Sequence, residues 1–109
     1  MTTDRVFAAL ADPTRRAILD LLRENQSLTA GAIAARFSTI SRPAVSKHLR
    51  VLRHACLVQA QERGRENHYT LDVRPLAEIQ RGWLDDFAPH WEQSLQRLKS
   101  EAEKPHDPR

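Results

Sequence analysis

The sequence contains one cysteine, Cys56, and three glycines, at positions 31, 64 and 82. A single thiol excludes an intramolecular disulfide framework and fits a reducing compartment. So little glycine leaves no material for a phosphate-cradling loop, and no Ser/His/Asp or Cys/His catalytic arrangement or zinc quartet is visible. Neither an enzyme nor a cofactor is expected. No apolar run approaches the roughly 20 residues that a membrane helix needs. The start, MTTDRVFAAL, lacks a basic stretch followed by a long apolar one. The expectation is a soluble, cytoplasmic protein with no membrane partner. Internal repeats and low-complexity linkers are missing as well, so residues 1–103 are expected to form one domain, with a proline-containing flexible tail at 104–109.

What is present is charge, unevenly placed. Lys and Arg number 17 against 14 Asp and Glu, for a net charge of +3 and a pI near 9.6. Net charge alone says little about partners. Its distribution says more. Residues 39–68 carry six cations against two acids, whereas residues 85–103 carry five acids against two cations. The middle of the chain is its electropositive part.

Hydrophobic spacing predicts a first helix over 3–11, burying Val6, Phe7 and Leu10. Asp12 followed by Pro13 restarts the helix: Asp is a good N-cap, and proline's missing N–H costs nothing at the first helical position. The second helix, 13–24, turns Ile18, Leu21 and Leu22 inward. Thr29 caps a short third helix ending at Phe37, with Ile33, Ala34 and Phe37 on its buried side. After a break of a few residues Ser41 caps a fourth, 41–54, reading SRPAVSKHLRVLRH. Pro43 is tolerated there because it falls in the first turn. Two short helices joined so closely make a helix-turn-helix.

The period then changes from helical to alternating. Val58 and Ala60 alternate with Gln59 and Gln61, and Tyr69 and Leu71 flank Thr70, with Arg63-Gly64-Arg65-Glu66 between the runs. This is a β-hairpin with an arginine-rich tip. From residue 74 the helical period returns through Leu76, Ile79, Trp83, Phe87, Trp91, Leu95 and Leu98. Pro89 interrupts it, so either a bend over 85–89 or two helices meeting there is expected. The fold class is mostly α with a small hairpin: a winged helix-turn-helix with a long C-terminal helix or helices.

Helix 41–54 has an apolar stripe of Val45, Leu49 and Leu52, which leaves Arg42, Ser46, Lys47, Arg50 and Arg53 toward water. Taken alone, such a helix is also compatible with a solvated surface. Between a short capped helix and an arginine-tipped wing it reads as a helix that enters the major groove of double-stranded DNA. Arg42, Ser46 and Lys47 are placed for base edges, Arg50 and Arg53 for phosphates, and Arg63 and Arg65 for contacts from the wing. A winged helix used for protein interaction would have little need for these cations. The aromatic stripe exceeds what so small a domain covers alone. Pairing with a second copy through Trp83, Phe87, Trp91 and Leu95, with Phe7 and Leu10, is expected. Such a dimer sets two reading helices about 34 Å apart and calls for a near-palindromic site.

LADPTRRAILDLL (10–22), SRPAVSKHLRVLRHACLV (41–58) and ERGRENHYTL (62–71) resemble the ArsR-type winged-helix repressors. The likeness spans about residues 4–99. It implies a homodimer that represses its own or a neighbouring operon, with Arg42, Ser46, Lys47 and His48 on the DNA-reading helix and Arg63 and Arg65 on the wing. Metal-sensing members carry a cysteine cluster in the third helix, where TAGAIAARF has none, so the chain is similar to the branch without that box. Asp86 and His90, four apart, are the weak candidates for half of a metal site, and a metal-responsive repressor is one alternative. The family usually has glycine where this chain has Cys56. A left-handed helix end is implied there, and a thiol-responsive repressor is a second alternative. The effector and the operator sequence are not legible.

Overall fold

The structure, a computed structural model, describes residues 3–103. The tail expected at 104–109 lies outside the described residues. The elements in chain order are α1 (Thr3–Leu10), α2 (Pro13–Glu24), β1 (Leu28–Thr29), α3 (Ala30–Ala34), α4 (Arg42–His54), β2 (Val58–Arg63), β3 (Glu66–Leu71), α5 (Arg74–Gly82), a 3-10 turn (Leu84–Phe87) and α6 (Ala88–Glu103). No helix among the described residues is long and apolar enough to cross a membrane. The chain forms two compact units, one up to Ala77 and one from Glu78 onward.

In the first unit the helices converge on α4, whose neighbours include α1, α2, α3 and β2. Val6, Ile18, Ile33, Val45, Leu49, Leu52 and Leu57 are fully buried. The core expectations for α1, α2 and α3 each needed correction. In α1 the buried pair is Val6 and Ala9, three apart on one face, and Phe7, about 100° round the helix, remains 39% exposed. Leu10 is half-buried. In α2 Leu19, not Leu21, joins Ile18 and Leu22 inside. The third helix ends at Ala34, short of Phe37, and Phe37 is only half-buried.

The hairpin is part of a three-stranded antiparallel sheet in the order β1-β3-β2. β2 and β3 pair from Val58↔Leu71 to Arg63↔Glu66, leaving a two-residue turn of Gly64 and Arg65. Gly64 has φ +63°, and a positive φ at the first central residue alone is the demand of a type II′ turn. The third strand, β1, adds Leu28↔Tyr69 and Thr29↔His68. Two residues are too few to display a period of two, so β1 leaves no pattern to read.

The end of α4 determines where the hairpin begins. Cys56 N–H donates to the Arg53 carbonyl at 2.9 Å, and Leu57 N–H donates to the Leu52 carbonyl at 3.0 Å. These two bonds define a Schellman ending, in which Cys56 is the left-handed residue at φ +62°. Leu52 and Leu57, the two positions at which such an ending favours apolar side chains, are both buried.

At the other end of the hairpin sits Asp72, the buried charged side chain of the core. Its N–H donates to the Leu57 carbonyl at 2.8 Å. Its carboxylate accepts from Gln59 Nε2 at 2.8 Å, from the Arg74 N–H at 3.1 Å and from Arg74 Nε at 2.9 Å. The Arg74 side chain, aided by its backbone N–H and the Gln59 amide, holds the carboxyl far below the usual carboxylate range despite burial, which pushes the other way.

The second unit answers the question posed by Pro89. The helical pattern breaks at Trp83, with φ −143° and ψ −56°, and passes through the 3-10 turn before α6 begins at Ala88. Pro89 therefore falls in the first turn of α6, where it needs no backbone donor. The two helices replace one kinked rod.

Two outcomes follow for stability. Cys56→Gly removes the Cβ penalty of a left-handed residue and should raise stability by up to about 1 kcal/mol, less the extra entropy glycine brings to the unfolded chain. A thermal melt should show it as an increase of a few degrees, and a lower melting temperature would contradict this account. Asp72→Asn should cost about 1–3 kcal/mol at neutral pH by stripping a buried network of its charge-assisted bonds. Because the folded pKa is depressed, that contribution is complete above the unfolded carboxylate value of about 3.9 and declines as pH falls below it. Urea midpoints of the two proteins should therefore draw together below about pH 4.

Candidate nucleic-acid interface

The helix-turn-helix is built from two side-chain caps. Thr29 Oγ1 accepts from the Ala32 N–H at 3.1 Å and opens α3, and Ser41 Oγ accepts from the Ala44 N–H at 3.3 Å and opens α4. Each cap satisfies one of the donors left over at a helix start, so both helices begin at defined residues. From Ser41 onward the inner stripe of α4 is Val45, Leu49 and Leu52, none more than 1% exposed. The opposite face carries Arg42, Ser46, Lys47, Arg50 and Arg53, all exposed.

Arg42 lies across the start of α3. A Cβ added at Gly31 would stand 3.7 Å from the Arg42 guanidinium carbon. On the other side, Arg42 and Ser46 share a groove with Thr29 and with Arg65, Asn67 and Tyr69 of the wing. The fold thus brings the start of α4 and the hairpin tip to one concave surface. A second hollow runs along Pro43, Ser46, Lys47 and Arg50. Arg53, at the far end of α4, and Arg63, near the hairpin tip, are exposed, with Arg63 Nη2 donating to Gln61 Oε1 at 3.4 Å. None of Arg42, Lys47, Arg50, Arg53, Arg63 and Arg65 forms a salt bridge with another described residue. Their charge faces solvent and suits a polyanion.

His48 is placed differently from its neighbours. It is half-buried, with Nδ1 3.7 Å from Asp12 Oδ2 and 3.4 Å from Arg15 Nη1 on α2. Thr29, Asn67 and Tyr69 were absent from the sequence candidates. Thr29 reaches the groove through β1, and only the pairing with β3 puts it beside the wing.

The residues expected to pair two copies are distributed over both units. In the first, Phe7 is exposed and Leu10 half-buried. In the second, Trp83, Phe87, Trp91 and Leu95 are 42–60% exposed, and Trp83 and Phe87 meet edge to face with ring centroids 5.1 Å apart. Asp86 stands in the 3-10 turn and His90 in the first turn of α6, both exposed. No group of three or more potential metal ligands occurs among the described residues.

Residues 10–59 match the family described as a helix-turn-helix domain. The chain is similar to the transcriptional repressor SdpR of Bacillus subtilis (strain 168), with 39% identity over 84 residues that cover 77% of this chain and 90% of that protein. It is also similar to the HTH-type transcriptional regulator Rv2034 of Mycobacterium tuberculosis, with 45% identity over 92 residues covering 84% and 80%. Among solved structures, an ArsR-like transcriptional regulator from Rhodococcus sp. RHA1 gives a TM-score of 0.72 at 34% identity, covering 94% of this chain and 92% of that one. The homodimeric winged helix-turn-helix DNA-binding domain Mb0332 from Mycobacterium bovis gives 0.61 at 26% identity, covering 97% and 85%.

Proposed function

The chain belongs to the ArsR family of winged helix-turn-helix transcriptional regulators, and from that premise we propose that it is a homodimeric repressor binding a near-palindromic operator of its own or a neighbouring operon. The observation that carries the reading is the groove where Arg42 and Ser46 of α4 meet Arg65 and Asn67 of the wing. A helix start with a bidentate cation suits a guanine edge in the major groove, while the wing cations suit the adjoining phosphates or the minor groove. Arg50 and Arg53, further along α4, suit phosphates. The role is non-enzymatic and belongs where the DNA is, in the cytoplasm. We assign no cofactor.

Pairing is supported by the second unit's exposed aromatic and leucine side chains and by the homodimeric state named for the Mycobacterium bovis relative. A single copy presents one helix and one wing, which limits it to a half-site. Two copies related by a two-fold axis read both halves of a palindrome. Residues 1–103 then act as one DNA-binding and dimerisation domain.

Selection of bound duplexes from a random pool, at physiological salt, tests the reading. An enriched near-palindrome is expected, and absence of any preference would overturn it. Against the selected site, Arg42→Ala should cost about 1–3 kcal/mol and relax discrimination at one position of each half-site, whereas Arg65→Ala should weaken all duplexes and flatten the salt dependence. Sedimentation at micromolar concentration should give a dimer for the unaltered chain and a monomer for Trp91→Glu. A monomeric unaltered chain would remove the reason for a palindrome.

A further inference from the structure

The corner between α1 and α2 holds a half-buried cluster that the groove does not use. Asp12 caps α2 by accepting from the Arg15 N–H at 3.3 Å. The Arg15 side chain then turns back on α1: Nε donates to the Ala9 carbonyl at 2.7 Å and Nη2 to the Ala8 carbonyl at 3.0 Å. Its remaining nitrogen, Nη1, stands 3.4 Å from His48 Nδ1, in the middle of α4, and 4.0 Å from Asp12 Oδ2. The side chains of Arg15, Asp12 and His48 are 18%, 28% and 23% exposed.

A guanidinium is a rigid, planar fork of donors. Here one fork takes the Ala8 and Ala9 carbonyls near the end of α1 and faces an imidazole on α4, so the end of one helix and the middle of another are referred to a single plane. A shift or rotation of α4 would draw His48 out of that plane. The neighbours of His48 along α4 are the outward-facing Ser46, Lys47 and Arg50. We infer that Arg15 and His48 are positioning residues for DNA reading: Arg15 fixes His48, and His48 fixes the rotation at which α4 offers Ser46, Lys47 and Arg50 to the duplex. The inference rests on α4 being the DNA-reading helix, and it moves His48 from the contact surface to its support. Arginine nitrogens only donate, so the Arg15 contact requires a neutral His48 to keep its Nδ1 lone pair for Nη1 and its proton on Nε2, whereas a proton on Nδ1 would turn instead to the Asp12 carboxylate 3.7 Å away.

The test measures, by fluorescence anisotropy on the full chain, binding to the selected operator and to a scrambled duplex of equal length. His48→Ala, Arg15→Lys and the double variant are compared with the unaltered protein, at temperatures where melting curves show each folded. Each single change should weaken operator binding about three- to tenfold, and the double variant should fall no further than the weaker single one, because both act through one contact. Scrambled-duplex affinity and the salt slope should stay unchanged, since no phosphate contact is lost. Additive losses, or a flatter salt slope in His48→Ala, would make His48 a direct DNA contact. Unchanged operator affinity would make the cluster merely a brace for the corner. Either result overturns the inference. Should the Arg15 variant not fold, the imidazole ¹⁵N spectrum of the unaltered protein decides: protonation on Nε2 is expected, and protonation on Nδ1 excludes the Arg15 contact and overturns the inference. A protein that prefers no duplex ends the DNA reading itself. A sequence-preferring protein indifferent to His48→Ala ends only the positioning role.

Discussion

The first unit depends on one constraint: α4 must be buried along one side and bare along the other. Val45, Leu49 and Leu52 meet it on the inside, and each such side chain stabilises the fold by about 1.5–3 kcal/mol when removed from water. Because these three positions follow the helical repeat, their burial also fixes which residues cannot be buried. Arg42, Ser46, Lys47, Arg50 and Arg53 face outward as a consequence of the same rotation. The core that stabilises the unit and the face that carries the cations are therefore two aspects of one helix orientation. A mutation that unpacks Leu49 would disturb the outer face without touching it.

The two ends of α4 turn that orientation into a site. At its start, the Ser41 cap places Arg42 at the first helical position, over Gly31 and within reach of the wing groove. At its end, the left-handed Cys56 reverses the chain so that β2 leaves toward the hairpin. The hairpin's root is closed by Asp72, which joins the Leu57 carbonyl, Gln59 and Arg74. Wing and helix are thus registered by backbone bonds at the root, which leaves the exposed tip free to carry Arg63, Gly64 and Arg65. Cys56 is the least comfortable link. A residue with a Cβ there costs about 1 kcal/mol relative to glycine, yet the two Schellman bonds still hold the turn.

Much of this was legible in the sequence because it rests on local rules. Asp12-Pro13, Thr29 and Ser41 are start signals whose chemistry does not depend on the rest of the chain, and α2 and α4 begin where those residues say. The hairpin followed from alternation around Gly64, and the left-handed state of Cys56 from the family's usual glycine. What escaped was set by tertiary packing. Ala9 outcompetes Phe7 for the interior of the first unit because the face that α1 turns inward is the one shared by Val6 and Ala9. β1 exists only because β3 offers an edge to it, which also brings Thr29 into the groove. His48 sits at a helical position that reads as outer-face, but Asp12 and Arg15 draw it in. Spacing can assign a side chain to a face, but it cannot find a partner that arrives from another helix.

Charge adds a constraint that packing alone does not impose. The stretch 39–68 holds six cations against two acids, and 85–103 holds five acids against two cations. A duplex attracts the first stretch and repels the second at separations up to a Debye length, about 8 Å at physiological salt. Approach by the basic stretch is thereby favoured before any base is touched. A uniformly basic chain of equal net charge would bind DNA more strongly in many orientations and discriminate less among them. The modest net charge of +3 thus conceals one stretch of net +4 and another of net −3. Their separation along the chain keeps the cations that suit a duplex apart from the acids that a duplex repels.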